Sequence, residues 1–195
     1  MARKKAAVRR EEILVATVEE IESSGLRALR VSDVAARLGL SASLVIYHFE
    51  TKEALVNEAF DFAGRQDIEH ARELADGQVS ALQRLRDVVG WYLPRGSSRS
   101  WKIWIDGWSA GLVDEALRST FAALDQEWKS ILSSLMDEAI AAGECTATEG
   151  GTASGATRVL AFLDGLAIQV MVNSETVDTE ALSTWVDDFL TRELG

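Results

Sequence analysis

The 195-residue sequence contains one proline, one cysteine and only two histidines. The single cysteine, Cys145, cannot close a disulfide within the chain, and no second cysteine or paired histidines suggest a zinc site. The scarcity of proline and the absence of sustained alternation between apolar and polar residues argue against β-strands. We therefore predict an all-helical protein with neither a metal site nor a cofactor.

Long apolar runs are also scarce. The basic start, Met1–Arg10, continues into Glu11 and Glu12 instead of an apolar segment, so no secretory signal is predicted. The most apolar later stretch, VLAFLDGLAIQVMV, is interrupted by Asp164 and is shorter than the roughly 20 residues that span a bilayer. The sequence predicts a cytoplasmic protein with no membrane partner.

Residues that support catalysis are few. The histidines are His48 and His70, and no nucleophile motif, metal-ligand spacing or glycine-rich phosphate loop accompanies them. We predict no catalytic residue and no enzymatic activity.

Charge is abundant but uneven. The formal net charge is −11, yet residues 1–52 hold nine basic and seven acidic side chains, whereas residues 53–195 hold 11 basic and 24 acidic ones. Such a charge asymmetry indicates which partners the two regions can bind and says nothing about their fold. It leaves room for an N-terminal region that meets nucleic acid.

Helix signals are dense in this N-terminal region. A first helix is predicted over about Arg9–Ser24, with Gly25 as its C-terminal stop. Ser32, Ser41 and Thr51 can each cap a following helix, which leaves about two turns for each of the first two. Two short helices joined by a tight glycine-containing turn predict a helix-turn-helix, whose second helix can lie in the major groove of DNA.

The candidate recognition helix is ASLVIYHF, residues 42–49. Val45 and Phe49 are predicted to face the core, so that Tyr47 and His48 project outward together. Lys52, in the first turn of the next helix, opposes the positive end of the helix dipole at a cost of about 0.3 to 1 kcal/mol. A DNA phosphate at that helix start would make the position of Lys52 favourable, because the ammonium and the helix N–H groups would both bind the phosphate.

A basic segment precedes the first acidic residue. It is either a solubilising tail or an arm that reaches flanking phosphates or a minor groove, and both interpretations stay open. Its basic residues are Arg3, Lys4, Lys5, Arg9 and Arg10.

The stretch VSDVAARLGLSASLVIYHFETKEALVNEAF resembles the DNA-binding signature of TetR-type transcriptional regulators over about residues 9–60. The resemblance implies an N-terminal three-helix DNA-binding domain, residues 1–55, and a C-terminal helical bundle for effector binding and dimerisation, residues 56–195. It also implies a repressor that leaves double-stranded operator DNA when a small molecule binds. The implied DNA contacts are Ser32, Ser41, Ala42, Ser43, Leu44, Tyr47, His48 and Lys52.

Two positions depart from the family pattern. Ser43 stands where glycine is frequent, and Ile46 stands where the first of two aromatic residues is common, which removes a hydroxyl that could contact phosphate. An alternative therefore stays open, namely a helical effector-binding or adaptor protein with weakened DNA binding. The C-terminal segments AIAAGE and LDGLAIQ resemble the subgroup that contains betaine- and choline-pathway repressors.

The first C-terminal helix is predicted over about residues 79–93. A Gly-Ser loop separates it from a tryptophan-rich helix, and the long helix that follows ends near Gly143. The last two helices are predicted over about residues 156–172 and 179–193. Trp101, Trp104 and Trp108 form one stripe, which is either core or the lining of an effector site. Such a lining fits an apolar or aromatic small molecule, or an organic cation held by tryptophan faces. The candidate effector residues are Trp91, Tyr92, Trp101, Trp104, Trp108, Phe121 and Trp128.

The last two predicted helices are broadly apolar. In a C2 homodimer they would form a four-helix bundle that pairs two DNA-reading helices. The candidate dimer residues are Leu160, Leu163, Asp164, Ala167, Met171, Leu182, Trp185, Val186 and Phe189. Asp164, a carboxylate within an apolar run, needs a partner, which can be the ligand, the dimer or the core.

Overall fold

The computed structural model describes residues 2–94, 99–146, 149–173, 175, 177–178 and 180–195. All regular structure in these ranges is helical, which confirms the all-α prediction. A 3₁₀ helix, Leu26–Ala28, separates α1 from α2. The α-helices are α1 Ala2–Ser24, α2 Val31–Arg37, α3 Ala42–Phe49, α4 Lys52–Ala75, α5 Ala81–Tyr92, α6 Arg99–Gly111, α7 Glu115–Ala141, α8 Thr152–Val172 and α9 Leu182–Leu194.

The chain divides into two compact units. The first comprises residues 1–66 and 99–122, and the second comprises residues 67–98 and 123–195. This division differs from the predicted boundary at residue 55, because α4 continues past it and α6 packs against α1 and the 3₁₀ helix. A tryptophan-rich helix distant in sequence therefore belongs to the unit that contains the helix-turn-helix.

The core of the first unit is built from the predicted apolar faces. Ile13 and Ile21 of α1, Val34 of α2, and Val45 and Phe49 of α3 are all buried in one cluster. Leu55 and Phe60 of α4 and Ile103 of α6 complete its centre. This packing fixes the orientation of α3 and therefore decides which of its side chains reach solvent.

Two of the three predicted caps are confirmed. The Ser41 hydroxyl accepts a hydrogen bond from the Leu44 N–H at 3.2 Å, and the Thr51 hydroxyl accepts one from the Ala54 N–H at 3.0 Å. The predicted cap at Ser32 is wrong, because α2 begins at Val31 and its N-cap is Arg30, whose side chain makes no capping bond. Local propensity placed this helix start two residues too late.

Other boundaries also differ from the predictions. Helix α1 begins at Ala2, so the basic segment continues the helix instead of forming a separate arm. Helix α8 begins at Thr152 within a stretch predicted to be a loop, and α9 begins at Leu182. The predicted Gly-Ser loop, residues 95–98, and the predicted start of α9 at residue 179 lie outside the described residues.

Helix α8 is long and apolar enough to cross a membrane by length and composition alone, contrary to the prediction that it is too short. However, Leu160, Leu163 and Ala167 are buried among the helices of the second unit. Asp164, on the same helix, bonds to a side chain of α5. These contacts are those of a core helix in a folded unit.

Candidate DNA-binding surface and effector site

Helix α3 is limited to eight residues by its two ends. The Ser41 cap starts it, and Glu50 ends it with a left-handed backbone at φ +67°. The Glu50 N–H still bonds to the Ile46 carbonyl at 2.7 Å, which closes the last turn. The chain then enters α4 at Lys52 after a single further residue, so the recognition helix and the start of α4 are held close together.

The polar side of α3 faces solvent. Val45 and Phe49 are buried, whereas 80 % of the Tyr47 surface is exposed. His48 is half-buried and meets the Tyr47 ring edge to face, with 5.6 Å between the ring centroids. The two rings therefore form one aromatic, hydrogen-bonding projection, as predicted from the helical spacing.

The first turn of α3 is also open to solvent. Ser41, Ala42, Ser43 and Leu44 are all exposed. The Ser41 and Ser43 hydroxyl oxygens lie 2.9 Å apart, and either can donate to the other. The helix thus presents small and uncharged side chains at its N-terminus, a shape that can enter a groove.

Lys52 and Ser32 were predicted to anchor phosphates. The Lys52 ammonium donates to the Leu29 carbonyl at 2.6 Å and is half-buried. An ammonium carries three N–H groups, so this bond leaves capacity for a second acceptor. Ser32 is exposed on α2, where its hydroxyl donates to the Asp33 carboxylate at 3.2 Å.

Arg10, predicted as part of a basic arm, instead braces α3. Its guanidinium lies 4.2 Å from the centroid of the Phe49 ring, bonds to the His48 carbonyl and forms an ion pair with Glu58. Arg9 pairs with Glu12 at 2.7 Å. The side chains of Arg3, Lys4 and Lys5 lie outside the described residues. No pattern in the sequence indicates that Arg10 contacts a backbone carbonyl and an aromatic ring.

The seven predicted effector residues fall into two groups. Trp101, Trp104, Trp108 and Phe121 belong to the first unit, where Trp104 and Phe121 pack around Phe60. Trp91, Tyr92 and Trp128 belong to the second unit. In the predicted stripe on α6, Trp101 is buried, Trp104 and Trp108 are half-buried, and the Trp101 ring meets that of Trp108 edge to face.

The second group contacts Asp164 through Tyr92, and the sequence left the role of this carboxylate open between ligand, dimer and core. The Tyr92 hydroxyl donates to Asp164 at 2.8 Å, and the Tyr92 ring meets the Trp128 ring edge to face, with 4.8 Å between centroids. The Trp91 ring stacks on the Trp128 ring with 6.1 Å between their centroids, and the centroids of the His70 and Trp91 rings lie 4.8 Å apart. This aromatic–carboxylate cluster comprises His70, Trp91, Tyr92, Trp128 and Asp164.

Burial raises the pKa of Asp164 to about 6. The hydrogen bond from Tyr92 and the charge of Lys129 lower this pKa, and the charge of Asp125 raises it, but burial has the largest effect. Burial also raises the pKa of the Tyr92 hydroxyl well above 10, with the charge of Asp164 as the next cause. The cluster therefore holds a carboxyl group whose ionisation a nearby positive charge would favour.

The predicted dimer residues are mostly interior. Leu160, Leu163, Ala167, Leu182 and Val186 are buried within a single chain, so their apolar surface is already covered and is not available to a partner. Met171 is half-buried, and Phe189 stacks on Phe162 with 4.1 Å between ring centroids. Of the nine predicted residues, Trp185 is the one with an exposed side chain.

Another face of α8, missed from the sequence, is both apolar and exposed. Ala161, Gly165, Ile168 and Val172 lie at i, i+4, i+7 and i+11 and are all exposed, with 69 % of the Val172 surface open. A Cβ added at Gly165 would meet no atom of its own chain within 4 Å. We call these four residues the α8 stripe. Its helical periodicity is visible in the sequence, but so is that of the buried face beside it.

Among the described residues, no group of three or more His, Cys, Asp or Glu side chains is placed to hold a metal ion. The candidate site features in the described ranges are an exposed recognition helix, an aromatic–carboxylate cluster and an apolar helical stripe.

Comparison with known proteins identifies both parts of the chain. Residues 13–59 match the family of bacterial regulatory proteins called tetR, and residues 81–195 match the C-terminal domain of BetI-type transcriptional repressors. The HTH-type transcriptional regulator BetI of Vibrio parahaemolyticus is 21 % identical over 203 aligned positions, which cover 96 % of this chain and 92 % of that protein.

Solved structures share the fold. A transcriptional regulator from Saccharomonospora viridis in complex with choline is 22 % identical, with a TM-score of 0.86 and coverage of 96 % of this chain and 98 % of the other. FadR from Bacillus subtilis in complex with stearoyl-CoA is 21 % identical, with a TM-score of 0.74 and coverage of 95 % and 98 %. With both family matches, these likenesses confirm the resemblance stated above: the chain belongs to the TetR family of transcriptional regulators and carries a BetI-type C-terminal domain.

Proposed function

We propose that this protein is a cytoplasmic, homodimeric repressor that binds operator DNA through α3 and leaves it when a small organic cation binds. The observation that carries the DNA-binding part is the exposure of Tyr47 beside His48 on a helix braced by buried Val45 and Phe49. A helix anchored in this way can present base-reading side chains without losing its own packing.

Polar residues at the starts of α3 and α4 support contacts with the DNA backbone in this proposal. The exposed hydroxyls of Ser41 and Ser43 can donate to phosphate oxygens. Lys52 opens α4, and the combination of an ammonium with the positive end of a helix favours an anion. Each phosphate contact releases counterions, so operator binding should weaken steeply as salt rises.

A homodimer is favoured by the α8 stripe. Its exposed side chains are small or apolar, and exposed Trp185 of α9 adds to the apolar surface of the second unit. An exposed apolar helix face with small residues permits close approach of a second helix. Dimeric helix-turn-helix proteins bind two half-sites about one turn of DNA, roughly 34 Å, apart, which is the arrangement that a C2 pair requires.

The cationic effector is favoured by the aromatic–carboxylate cluster. Tyr92 and Trp128 contribute aromatic rings, and Asp164 contributes the only carboxylate among the cluster's five members. Aromatic faces attract quaternary ammonium groups, and a buried carboxylate gains by pairing with a positive charge. The choline complex of the Saccharomonospora viridis protein, which shares the fold, is consistent with this class of ligand.

Fluorescence anisotropy with labelled DNA from the region flanking the gene tests the proposal. We expect Tyr47→Ala to weaken binding by about tenfold or more, because each lost base or phosphate contact costs about 1 to 3 kcal/mol. The matched control is Leu112→Ala, which truncates an exposed side chain outside α3 in the same unit. Equal binding by both variants would refute the assignment of α3.

The same assay tests the effector. We expect choline to release the DNA from the wild type and not from Asp164→Asn, which retains an oxygen for the Tyr92 hydroxyl but loses the charge. Asp87→Asn is the control, because that exposed carboxylate on α5 accepts from the Gln83 side chain. Release by stearoyl-CoA and not by choline would contradict the cationic class and favour an apolar acyl ligand.

A further inference from the structure

The Asp106 side chain on α6 bonds to a backbone N–H of the first unit that is far from Asp106 in the sequence. Its carboxylate accepts a hydrogen bond from the Leu26 N–H at 2.9 Å. This N–H is the first of the 3₁₀ helix, and Gly25, the N-cap residue, has no side chain to accept it. Helix starts leave such N–H groups without an internal partner and favour a negative charge. Asp106 thus caps a helix that its own sequence leaves uncapped.

Gly25 permits this approach of α6. Its backbone is left-handed, with φ +85°, and a Cβ at this position would lie 3.3 Å from the Asp106 Oδ2 atom. The Lys102 Nζ atom, one turn earlier on α6, lies 4.0 Å from the same point. A larger residue would be strained in its backbone and would crowd the carboxylate. Glycine at the end of α1 therefore serves the contact with α6 as well as the turn.

The 3₁₀ helix is held at its other end by Lys52. The carbonyl of Leu29, directly after the 3₁₀ helix, accepts from the Lys52 ammonium at 2.6 Å. Lys52 begins α4 immediately after the turn that ends α3. A continuous line of contacts within the first unit therefore runs from Asp106 through the 3₁₀ helix to the residue that opens α4.

We propose that Asp106 is a positioning residue for operator binding. It holds the 3₁₀ helix, and through Leu29 it holds Lys52 and the start of α4 in place beside α3, without touching DNA itself. This inference rests on the proposed function of operator binding. It assigns a role in DNA affinity to a residue of the tryptophan-rich helix, outside the helix-turn-helix.

Asp106→Ala tests the role in DNA affinity, with Asp114→Ala as the matched control. Asp114 also accepts from a helix-starting N–H, that of Leu117 at 3.0 Å, in the same unit but at the start of α7. Anisotropy with the operator fragment should show about fivefold or greater weakening for Asp106→Ala, the size expected when a coupled contact is lost. Asp114→Ala should stay within about twofold of the wild type. Asp106→Asn, which keeps an oxygen acceptor, should recover most of the affinity.

Hydrogen exchange tests the line of contacts without DNA. Asp106→Ala should raise amide exchange at residues 26–29 and also at residues 51–55, whereas Asp114→Ala should raise it only in the first turn of α7. Circular dichroism establishes that each variant folds, and Asp106→Ser replaces the alanine variant if that one does not. Unchanged exchange at residues 51–55, or equal DNA binding by the Asp106 and Asp114 variants, would overturn the inference. Failure of the wild type to bind any fragment would instead overturn the proposed function, and the exchange result would still decide the positioning role.

Discussion

Asp164 shows at the residue scale how burial changes the chemistry of one side chain. Its ordinary pKa is 3.8, and burial raises it to about 6. Between these two values the folded protein retains a proton that the unfolded chain has released. The contribution of Asp164 to the free energy of unfolding therefore falls as pH rises between these two values. Above pH 6 the ionised carboxylate destabilises the folded protein.

We predict that Asp164→Asn is more stable than the wild type at pH 8, by on the order of 1 to 2 kcal/mol. The difference should narrow as pH falls below 6, because the wild-type carboxyl then carries its proton. Urea unfolding at a series of pH values and one fixed protein concentration measures both variants. Asp87→Asn controls for the loss of one carboxylate, and a stability gain of Asp164→Asn that does not depend on pH would contradict the assigned cause.

The residue scale also separates what spacing can reveal from what it cannot. The 100° step of a helix was sufficient to predict that Tyr47 projects while Val45 and Phe49 are buried. The partners of Arg10, Asp106 and Asp164 are 38 to 80 residues away in sequence. No local pattern encodes such pairs, since each is formed only when separate helices pack.

At the element scale, α6 depends on a glycine that has no conformational role. Gly107 lies within the helix, and a Cβ there would approach the Phe60 and Phe121 rings to 2.6 Å. Phe60 is fully buried, so its ring has little room to move. Gly107 therefore allows α6 to pack directly on the aromatic side chains of α4 and α7.

We predict that Gly107→Ala lowers the free energy of unfolding by about 1 to 3 kcal/mol, because overpacking outweighs the better helix propensity of alanine. Ser109→Ala is the matched control, since Ser109 is exposed on the same helix. It should leave stability unchanged or raise it by less than about 1 kcal/mol, because alanine has the better helix propensity. Chemical denaturation compares the two, and equal changes in the same direction would contradict this account of α6.

At the scale of the whole molecule, the α8 stripe links the second unit to a partner chain in the proposed function. Most of the residues first predicted for that role are buried or half-buried, so a partner must also meet other side chains. Ala161 and Ile168, both exposed, flank the opening left by Gly165. A second copy of α8 could approach closely at this point.

We predict that Gly165→Leu converts a dimer into a monomer that remains folded. The added side chain has open space in the single chain but would intrude on a partner helix. Light scattering after size exclusion measures the molar mass, and circular dichroism measures the fold. Ala123→Leu, which adds similar bulk at an exposed position of α7, should leave the mass unchanged. A Gly165→Leu protein that keeps the dimer mass would exclude the α8 stripe as the interface.

The sequence by itself determined the fold class and the recognition helix, and its resemblance to a known signature indicated the family. The fold class and the recognition helix depend on local rules, namely the caps at Ser41 and Thr51, the stop at Gly25 and the helical spacing of apolar residues, which act within a few residues of each other. The start of α2 was misplaced because its N-cap, Arg30, forms no side-chain capping bond to signal it.

Only the tertiary structure decided which of two apolar faces on α8 is covered and which unit each tryptophan belongs to. It also decided which groups Asp106 and Asp164 bond to. Both faces of α8 have helical periodicity, and periodicity alone does not say which neighbour a face meets. Burial and long-range hydrogen bonds arise from the packing of helices that are distant in sequence. They set the pKa of Asp164 and the capping role of Asp106, and both therefore depend on the folded chain.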